Sequence, residues 1–310
     1  LDDDPTGTQA CYDVTVLTSW ESQLLTEELN KKPEILYILT NSRSFTENVA
    51  VAIAHEIGNN LKLASQKSKR EVVLISRSDS TLRGHFPAEV NAVAEAMTLQ
   101  EAVQVIIPAF LEGGRYTIDD VHYLAENENL IPVSDTQFAK DVVFGYQNAN
   151  LKKWVEEKSK GKIKASDVVS ISIDDLRTKT PEIVAKRLQK IDAKQVCIVN
   201  AAGYKDLEVF ALSVILSERK FVFRSSATFV PISAGLVSSK PFIPQAKENS
   251  SKNGSLIMVG SHVPKSTLQL NYLLEQQTHE AVEINVGELL DDENPESLSK
   301  KIIAQTDEWL

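Results

Sequence analysis

The run Ser76-Arg77-Ser78-Asp79-Ser80-Thr81-Leu82-Arg83-Gly84-His85 gathers two guanidiniums, one carboxylate and several hydroxyls in consecutive positions. An apolar stretch (residues 72–75) precedes it, and a helical pattern begins near Pro87. A strand emptying into such a loop delivers its polar groups to the carboxyl edge of a sheet, where open α/β folds bind ligands. A guanidinium fork meets a carboxylate or phosphate with two parallel hydrogen bonds, so Arg77 and Arg83 suit an anionic, hydroxylated small molecule. Gly84 permits close backbone approach, and the helix start behind it favours negative charge. The competing reading is a structural salt-bridge network built on the same arginines.

Other segments carry related chemistry. Asp2-Asp3-Asp4-Pro5-Thr6-Gly7-Thr8 clusters three acids, and their repulsion must be relieved by a cation, an arginine or a proton. Such a cluster could supply a general base toward a substrate hydroxyl, or help hold magnesium. Thr40-Asn41-Ser42-Arg43-Ser44 follows a strand pattern, and so does the loop from Pro108 to Thr117 with Gly113, Gly114 and Arg115. Arginine-bearing loops that each follow a strand rarely coincide by chance. Gly260-Ser261-His262-Val263-Pro264-Lys265 is only superficially similar to a phosphate-binding loop, because the second glycine is missing and Pro264 interrupts it. Its Gly-Ser turn still offers amides and a hydroxyl to a phosphate or ribose. His55, His122 and His279 have no partner at metal-ligand spacing and read as structural or exposed; no resident metal site is assigned.

These loops need strands and helices to aim them. β-Branched apolar runs predict strands at 14–17, 35–39, 72–75, 103–107, 168–173, 196–199, 221–223, 256–259 and 282–286. Amphipathic stretches predict helices at 46–65, 87–97, 151–158, 181–191, 205–218, 264–277 and 295–309. Thr180-Pro181-Glu182 and Asn294-Pro295-Glu296 place a capping residue before a first-turn proline. Strands alternating with helices give an α/β fold of two α/β domains with mainly parallel sheets, the second incomplete in this chain. A Ser/Pro/Lys/Asn-rich stretch marks the boundary: a domain at 1–240, a linker at 241–253 and the start of another domain at 254–310.

Composition narrows the function classes. A formal charge of −10 without a basic stripe argues against nonspecific nucleic-acid binding. Two distant cysteines, Cys11 and Cys197, make no disulfide framework, so a reducing, cytoplasmic setting is expected. No apolar run has the length of a membrane span, and no signal peptide is visible. The chain starts on Leu1 and ends on an uncapped helical pattern, which reads as a piece of a longer protein.

Taken together, Asp3-Asp4-Pro5-Thr6-Gly7, Asn41-Ser42-Arg43, Asp79-Ser80-Thr81-Leu82-Arg83-Gly84, the 108–117 loop and Gly260-Ser261 resemble the four-carbon acid sugar kinase family. The resemblance covers nearly the whole chain in motif order. It implies an N-terminal domain that binds a threonate, erythronate or oxo-tetronate, and a C-terminal domain that binds ATP. The family's Gly-rich nucleotide loop lies beyond Leu310. Phosphoryl transfer with ATP and Mg2+ needs positioning and an in-line hydroxyl more than covalent chemistry. The implied roles are a carboxylate clamp from Arg83 with Arg43 or Arg77, and hydroxyl contacts from Ser80 and Thr81. Gly84 and Arg115 line the substrate site. Asp4 or Asp79 acts as base with Asp3 beside it, and Gly260 and Ser261 touch the nucleotide.

Two rivals are carried forward. Asp2-x-Asp4-x-Thr6 fits the opening motif of haloacid-dehalogenase-type phosphatases, with Asp2 as nucleophile and Asp4 as acid/base. Against it, no later Gly-Asp-x-x-x-Asp motif follows, and the arginine loops are left without a task. The other rival is a sugar-acid-binding module without turnover.

Overall fold

The computed structural model describes residues 1–193, 195–236, 256–261, 263–276, 280–291 and 295–309. The chain forms two compact units, Leu1–Lys240 and Pro241–Leu310. The first runs β1 (Thr15–Leu17), α1 (Ser22–Asn30), β2 (Leu36–Ile38), α2 (Glu47–Ser68), β3 (Leu74–Arg77), α3 (Ala88–Ala96) and β4 (Val103–Ile107). Then come β5 (Arg115–Ile118), β6 (Val121–Glu126), β7 (Asn129–Pro132), α4 (Leu151–Lys158), β8 (Val169–Ile171), α5 (Ile173–Thr178) and α6 (Pro181–Gln189). It closes with β9 (Val196–Val199), α7 (Tyr204–Ser217), β10 (Phe221–Ser225) and α8 (Phe229–Ser233).

The main sheet is parallel throughout, in the order β3-β10-β4-β9-β8. Helices cover both faces, so β9 is an unbroken apolar run and β4 is apolar except for Gln104. Strands β1 and β2 pair separately, also in parallel. The opening residues join the two ladders, since Asp2 pairs with both Leu39 and Arg77. Asp2 N donates to Ile38 O at 2.8 Å, Thr40 N to Asp2 O at 2.8 Å, and Arg77 N to Leu1 O at 2.7 Å. The acidic run therefore emerges at the carboxyl end of a short inserted strand.

Helix placement fixes where a ligand fits. The α3 side chains Val90 and Val93 pack with Leu74, Ile106 and Val222 on one face. From α6, α7 and α8, Leu188, Phe210 and Phe229 pack with Val105, Val199 and Phe223 on the other. Neighbouring strands β3 and β10 thus send their following helices to opposite faces, and their carboxyl ends form the kind of switch point at which open α/β sheets carry a ligand crevice.

The three-stranded antiparallel sheet β5-β6-β7 is absent from the sequence expectation. Its two turns, Asp119-Asp120 and Asn127-Glu128, hold positive φ at both central positions, the geometry of tight hairpins, but without the glycine that usually signals one. Short helices α1, α5 and α8 also went unforeseen. β3 runs on to Arg77, so Ser76 and Arg77 belong to the strand rather than the loop.

The second unit contains α9 (Pro264–Glu275), α10 (Val286–Asp291) and α11 (Pro295–Asp307). The strands expected at 256–259 and 282–286 do not form. Leu256, Ile257 and Met258 are 64%, 59% and 83% exposed, and no described segment pairs with them. An apolar run without a ladder partner has nothing to satisfy its backbone as a strand. Val286 instead starts a helix. The expected linker at 241–253 and His279 lie outside the described residues. Among those residues no helix is long and apolar enough to cross a membrane.

Candidate functional site

The crevice is built first by the acids and arginines of three neighbouring loops. Arg77, on the last position of β3 and 4% exposed, donates through Nε to Asp2 Oδ1 at 2.6 Å. Its Nη2 reaches Asp4 Oδ1 at 2.7 Å and Asp4 O at 2.8 Å. Arg43 extends from the turn after β2 and pairs with Asp4, with Asp3 at 3.3 Å and with Asp79 at 3.6 Å. Arg83 Nε donates to Asp79 Oδ2 at 2.7 Å, and the buried Thr81 hydroxyl donates to the same oxygen. Burial works to raise the Asp79 carboxyl, but Arg83, Arg43 and Thr81 win and hold it down at about 2. Asp2 shows the opposite balance: burial outweighs Arg77 and raises its carboxyl above the usual range.

The loop after β3 is held from beneath by a residue that the sequence reading missed. Arg224, on β10, is fully enclosed, with its guanidinium 5.0 Å from the Trp154 ring and 5.6 Å from the Phe86 ring. Its Nη2 donates to Ser78 Oγ at 3.1 Å and to Arg83 O at 3.0 Å. An arginine can only donate, so the Ser78 hydroxyl gives its own proton to Asp3 Oδ2, 2.8 Å away. Gly84 closes this packing at φ 122, and a Cβ there would lie 2.8 Å from Ser78 Oγ. Burial pulls the Arg224 cation downward in pKa, while Asp3, Asp79 and Glu89 oppose the shift. The available signal was a lone Arg interrupting the apolar run Phe221-Val222-Phe223.

Two walls complete the crevice. Tyr146 Oη donates to Thr81 O at 2.6 Å, and the Phe138 ring lies 5.0 Å from the Arg83 guanidinium. Asp141 stands 3.7 Å from Arg83. From the antiparallel sheet, His122 Nε2 lies 2.7 Å from Ser80 O, and its Nδ1 lies 2.9 Å from Thr117 Oγ1. A carbonyl only accepts, so Nε2 carries the hydrogen and Thr117 donates to Nδ1. Burial lowers the His122 pKa to about 4, which keeps the ring neutral and structural. Arg115, also on this sheet, stacks 5.8 Å from the Phe110 ring and donates to Gly113 O. Among the described residues it has no carboxylate partner, and its Nε is buried without an acceptor.

The structure brings Asp3, Asp4, Arg43, Arg77, Asp79, Thr81, Arg83 and Gly84 into one connected network. Ser80 is tied in through its carbonyl. Arg77 and Thr81 are spent on internal partners and offer almost no surface to a ligand. Among the described residues of this network, the groups with an unspent donor or exposure are Arg43, Arg83, Arg115 and Asp4. Asp2, Asp3 and Asp4 have oxygens within 4.8 Å of one another, a spacing that could suit a cation. Arg77 and Arg43 already meet these carboxylates, so the triad does not fit a resident magnesium ion. Gly260 and Ser261 belong to the second unit and are exposed. A separate cleft of the first unit, about 390 Å³ and mostly apolar, is lined by Leu1, Ile35, Val73, Ile215 and Phe229 among others. It holds none of this chemistry apart from the edge of Arg77.

A family model described as a sugar-binding N-terminal domain matches residues 1–232. A D-threonate kinase from Bordetella bronchiseptica is 30% identical over 149 residues, covering 46% of this chain and 34% of that protein. A D-erythronate kinase from Heliobacterium modesticaldum is 26% identical over 213 residues, covering 67% of this chain and 44% of the relative. The chain spans less than half the length of either. Among solved structures, a domain of unknown function from Bordetella bronchiseptica, a domain-swapped dimer with bound citrate, matches 99% of this chain and 70% of its own. Its TM-score is 0.58 at 21% identity. A Haemophilus influenzae protein matches 98% of this chain and 71% of its own, with TM-score 0.56 at 18% identity. These two likenesses show the fold.

Proposed function

This chain belongs to the four-carbon acid sugar kinase family, and from that premise we propose that its β3/β10 crevice binds a short sugar acid for ATP-dependent phosphorylation of a hydroxyl. The observation that carries the reading is Arg115. Every other partly exposed guanidinium in the crevice is engaged by an internal carboxylate, whereas Arg115 is desolvated, stacked on Phe110 and, among the described residues, without a carboxylate at ion-pair distance. A substrate carboxylate would supply the missing acceptor, with charge-assisted hydrogen bonds in a partly dry setting. Arg83, a quarter exposed, stands beside it as the second donor. Asp4, the most exposed acid of the triad, is the candidate to take the proton of the attacking hydroxyl.

ATP would be held by the second unit, with Gly260 and Ser261 as its contacts in this sequence. Magnesium would enter this scheme with the nucleotide and would supply charge neutralisation on its phosphates. What the first unit contributes is orientation: it fixes the acid, presents one hydroxyl and holds Asp4 between Arg43 and Arg77. Asp2, buried under Arg77, is not placed to act as a phosphatase nucleophile.

The test is titration calorimetry with D-threonate and D-erythronate, paired with a coupled ADP-release assay on the same protein. The expected result is heat from at least one acid, with ADP release that depends on it. If neither acid gives heat, the reading is wrong. Heat without ADP release would mark a binding module.

A further inference from the structure

Glu89 sits in the first turn of α3, is 5% exposed, and has no ion-pair partner among the described residues. Its Oε1 accepts a hydrogen bond from Ser42 Oγ at 2.8 Å. Ser42 opens the tight turn Ser42–Ser44 that carries Arg43, just after Asn41 at φ 51. Thr40 Oγ1 lies 3.2 Å from Ser42 Oγ and donates to Asp2 O at 2.9 Å. On the other side His85 Nε2 lies 3.1 Å from Ser42 O and 3.0 Å from Phe45 O. The Arg43 turn is thus gripped at both ends by residues of the α3 start, and Glu89 supplies the grip on its buried hydroxyl.

A carboxyl is a costly choice for that task. Burying one with a single neutral donor carries a desolvation penalty that a glutamine, with the same acceptor oxygen, would largely avoid. What glutamate adds is a second charge state behind the arginine. We propose that Glu89 is a positioning residue for the Arg43 turn and, through it, tunes how tightly the crevice holds its anionic substrate. This rests on the sugar-acid reading for its ligand and not for its geometry.

The groups that act on Glu89 are Ser42 from the turn, Asp3 from the inserted strand and Arg224 from β10. Burial chiefly, and then Asp3, push its pKa up to about 7 against the pull of Ser42 and Arg224. Below that pH the carboxyl is neutral. Above it, a buried negative charge lies behind the Arg43 turn and opposes a second anion in the crevice. Affinity for a sugar acid therefore falls as pH rises through about 7.

The test uses wild type, Glu89→Gln and Ser42→Ala. Calorimetry with D-threonate and D-erythronate from about pH 6 to about pH 8 should show roughly a tenfold weakening in wild type. Glu89→Gln should flatten that profile. Ser42→Ala should weaken binding at every pH, because the turn loses its anchor. In parallel, amide NMR of Ser42, Arg43 and Ser44 should titrate near pH 7 in wild type and stay silent in Glu89→Gln. Turn signals that ignore both pH and the Glu89→Gln change overturn the inference, whatever the calorimetry gives. If neither acid binds while the turn still titrates, the sugar-acid reading fails and the positioning role of Glu89 stands.

Discussion

Two aspartates on opposite flanks of this sheet have carboxyls held down at about 2, and only one of them sits in a candidate site. Asp175 belongs to a capping box with Ser172 and pairs with Lys179 and Arg187 on the outer helices. Those cations are 42% and 44% exposed, and all their charge is spent locally. Asp79 is met by Arg83 and Arg43, which are 26% and 17% exposed, at the carboxyl end of a strand where helices diverge. A lowered carboxyl therefore does not mark function. The contrast lies in the cations: Arg115, desolvated and with no carboxylate at ion-pair distance among the described residues, lies on the Asp79 side.

The comparison breaks most easily at glycine. In Gly84→Ala a methyl group would meet Ser78 Oγ at 2.8 Å, on a residue at φ 122. The Arg224–Ser78–Asp3 chain would have to move, so stability should fall by about 2–4 kcal/mol, with loss of sugar-acid binding. Gly161→Ala, at φ 76 with only Lys164 Nζ at 3.7 Å, should cost about 1 kcal/mol and leave binding intact. Urea unfolding of the two variants measures the contrast. Equal midpoints would mean that the loop after β3 is no tighter than an ordinary surface turn.

How much of this contrast was legible beforehand depends on the kind of signal. The parallel strands were readable because burial on both faces forces unbroken apolar runs such as Val196-Cys197-Ile198-Val199. Arg43, Asp79 and Arg83 were readable as loop residues after such runs. The antiparallel sheet was not, because Asp119-Asp120 and Asn127-Glu128 make hairpin turns without glycine. That sheet positions Arg115 and His122, so one wall of the site was named without its support. Arg224 left only a weak trace, a cation at the end of the apolar run Phe221-Val222-Phe223, and Glu89 left none. The direction each takes into the crevice is set by tertiary packing, which no local pattern records. In the second unit the apolar runs at 256–259 and 282–286 carried a strand signal, but a strand also needs a neighbour.

Arginine substitutions sharpen the same contrast. Arg115→Met should abolish most sugar-acid binding, a loss of about 2 kcal/mol or roughly thirtyfold in affinity. Its melting temperature should hold or rise, since a buried donor without an acceptor is removed. Arg187→Met should do the reverse: binding unchanged, and stability lower by up to about 1 kcal/mol, because its pair with Asp175 is half in solvent. Calorimetry and thermal melts on both variants decide. If Arg115→Met binds as wild type does, the anchor must be sought in Arg83.

The smallest effect separates the two aspartates themselves. A carboxyl lowered from 3.8 to about 2 in the folded state contributes stability that is present above the unfolded value. That contribution is lost as pH falls through the folded one. Asp79→Asn should therefore cost about 2 kcal/mol at neutral pH and progressively less in acid, disappearing near pH 2. Asp175→Asn should follow the same direction with a smaller amplitude, because its cations lie where water and salt screen them. Salt then makes the distinction. Raising ionic strength to about 0.5 M should shrink the Asp175→Asn deficit and leave the Asp79→Asn deficit nearly intact, since screening reaches exposed pairs and not enclosed ones. Unfolding curves across pH at low and high salt read all four combinations. Equal salt sensitivity would place the Asp79 network at the surface, and the crevice would lose its claim to be a preorganised, partly dry site.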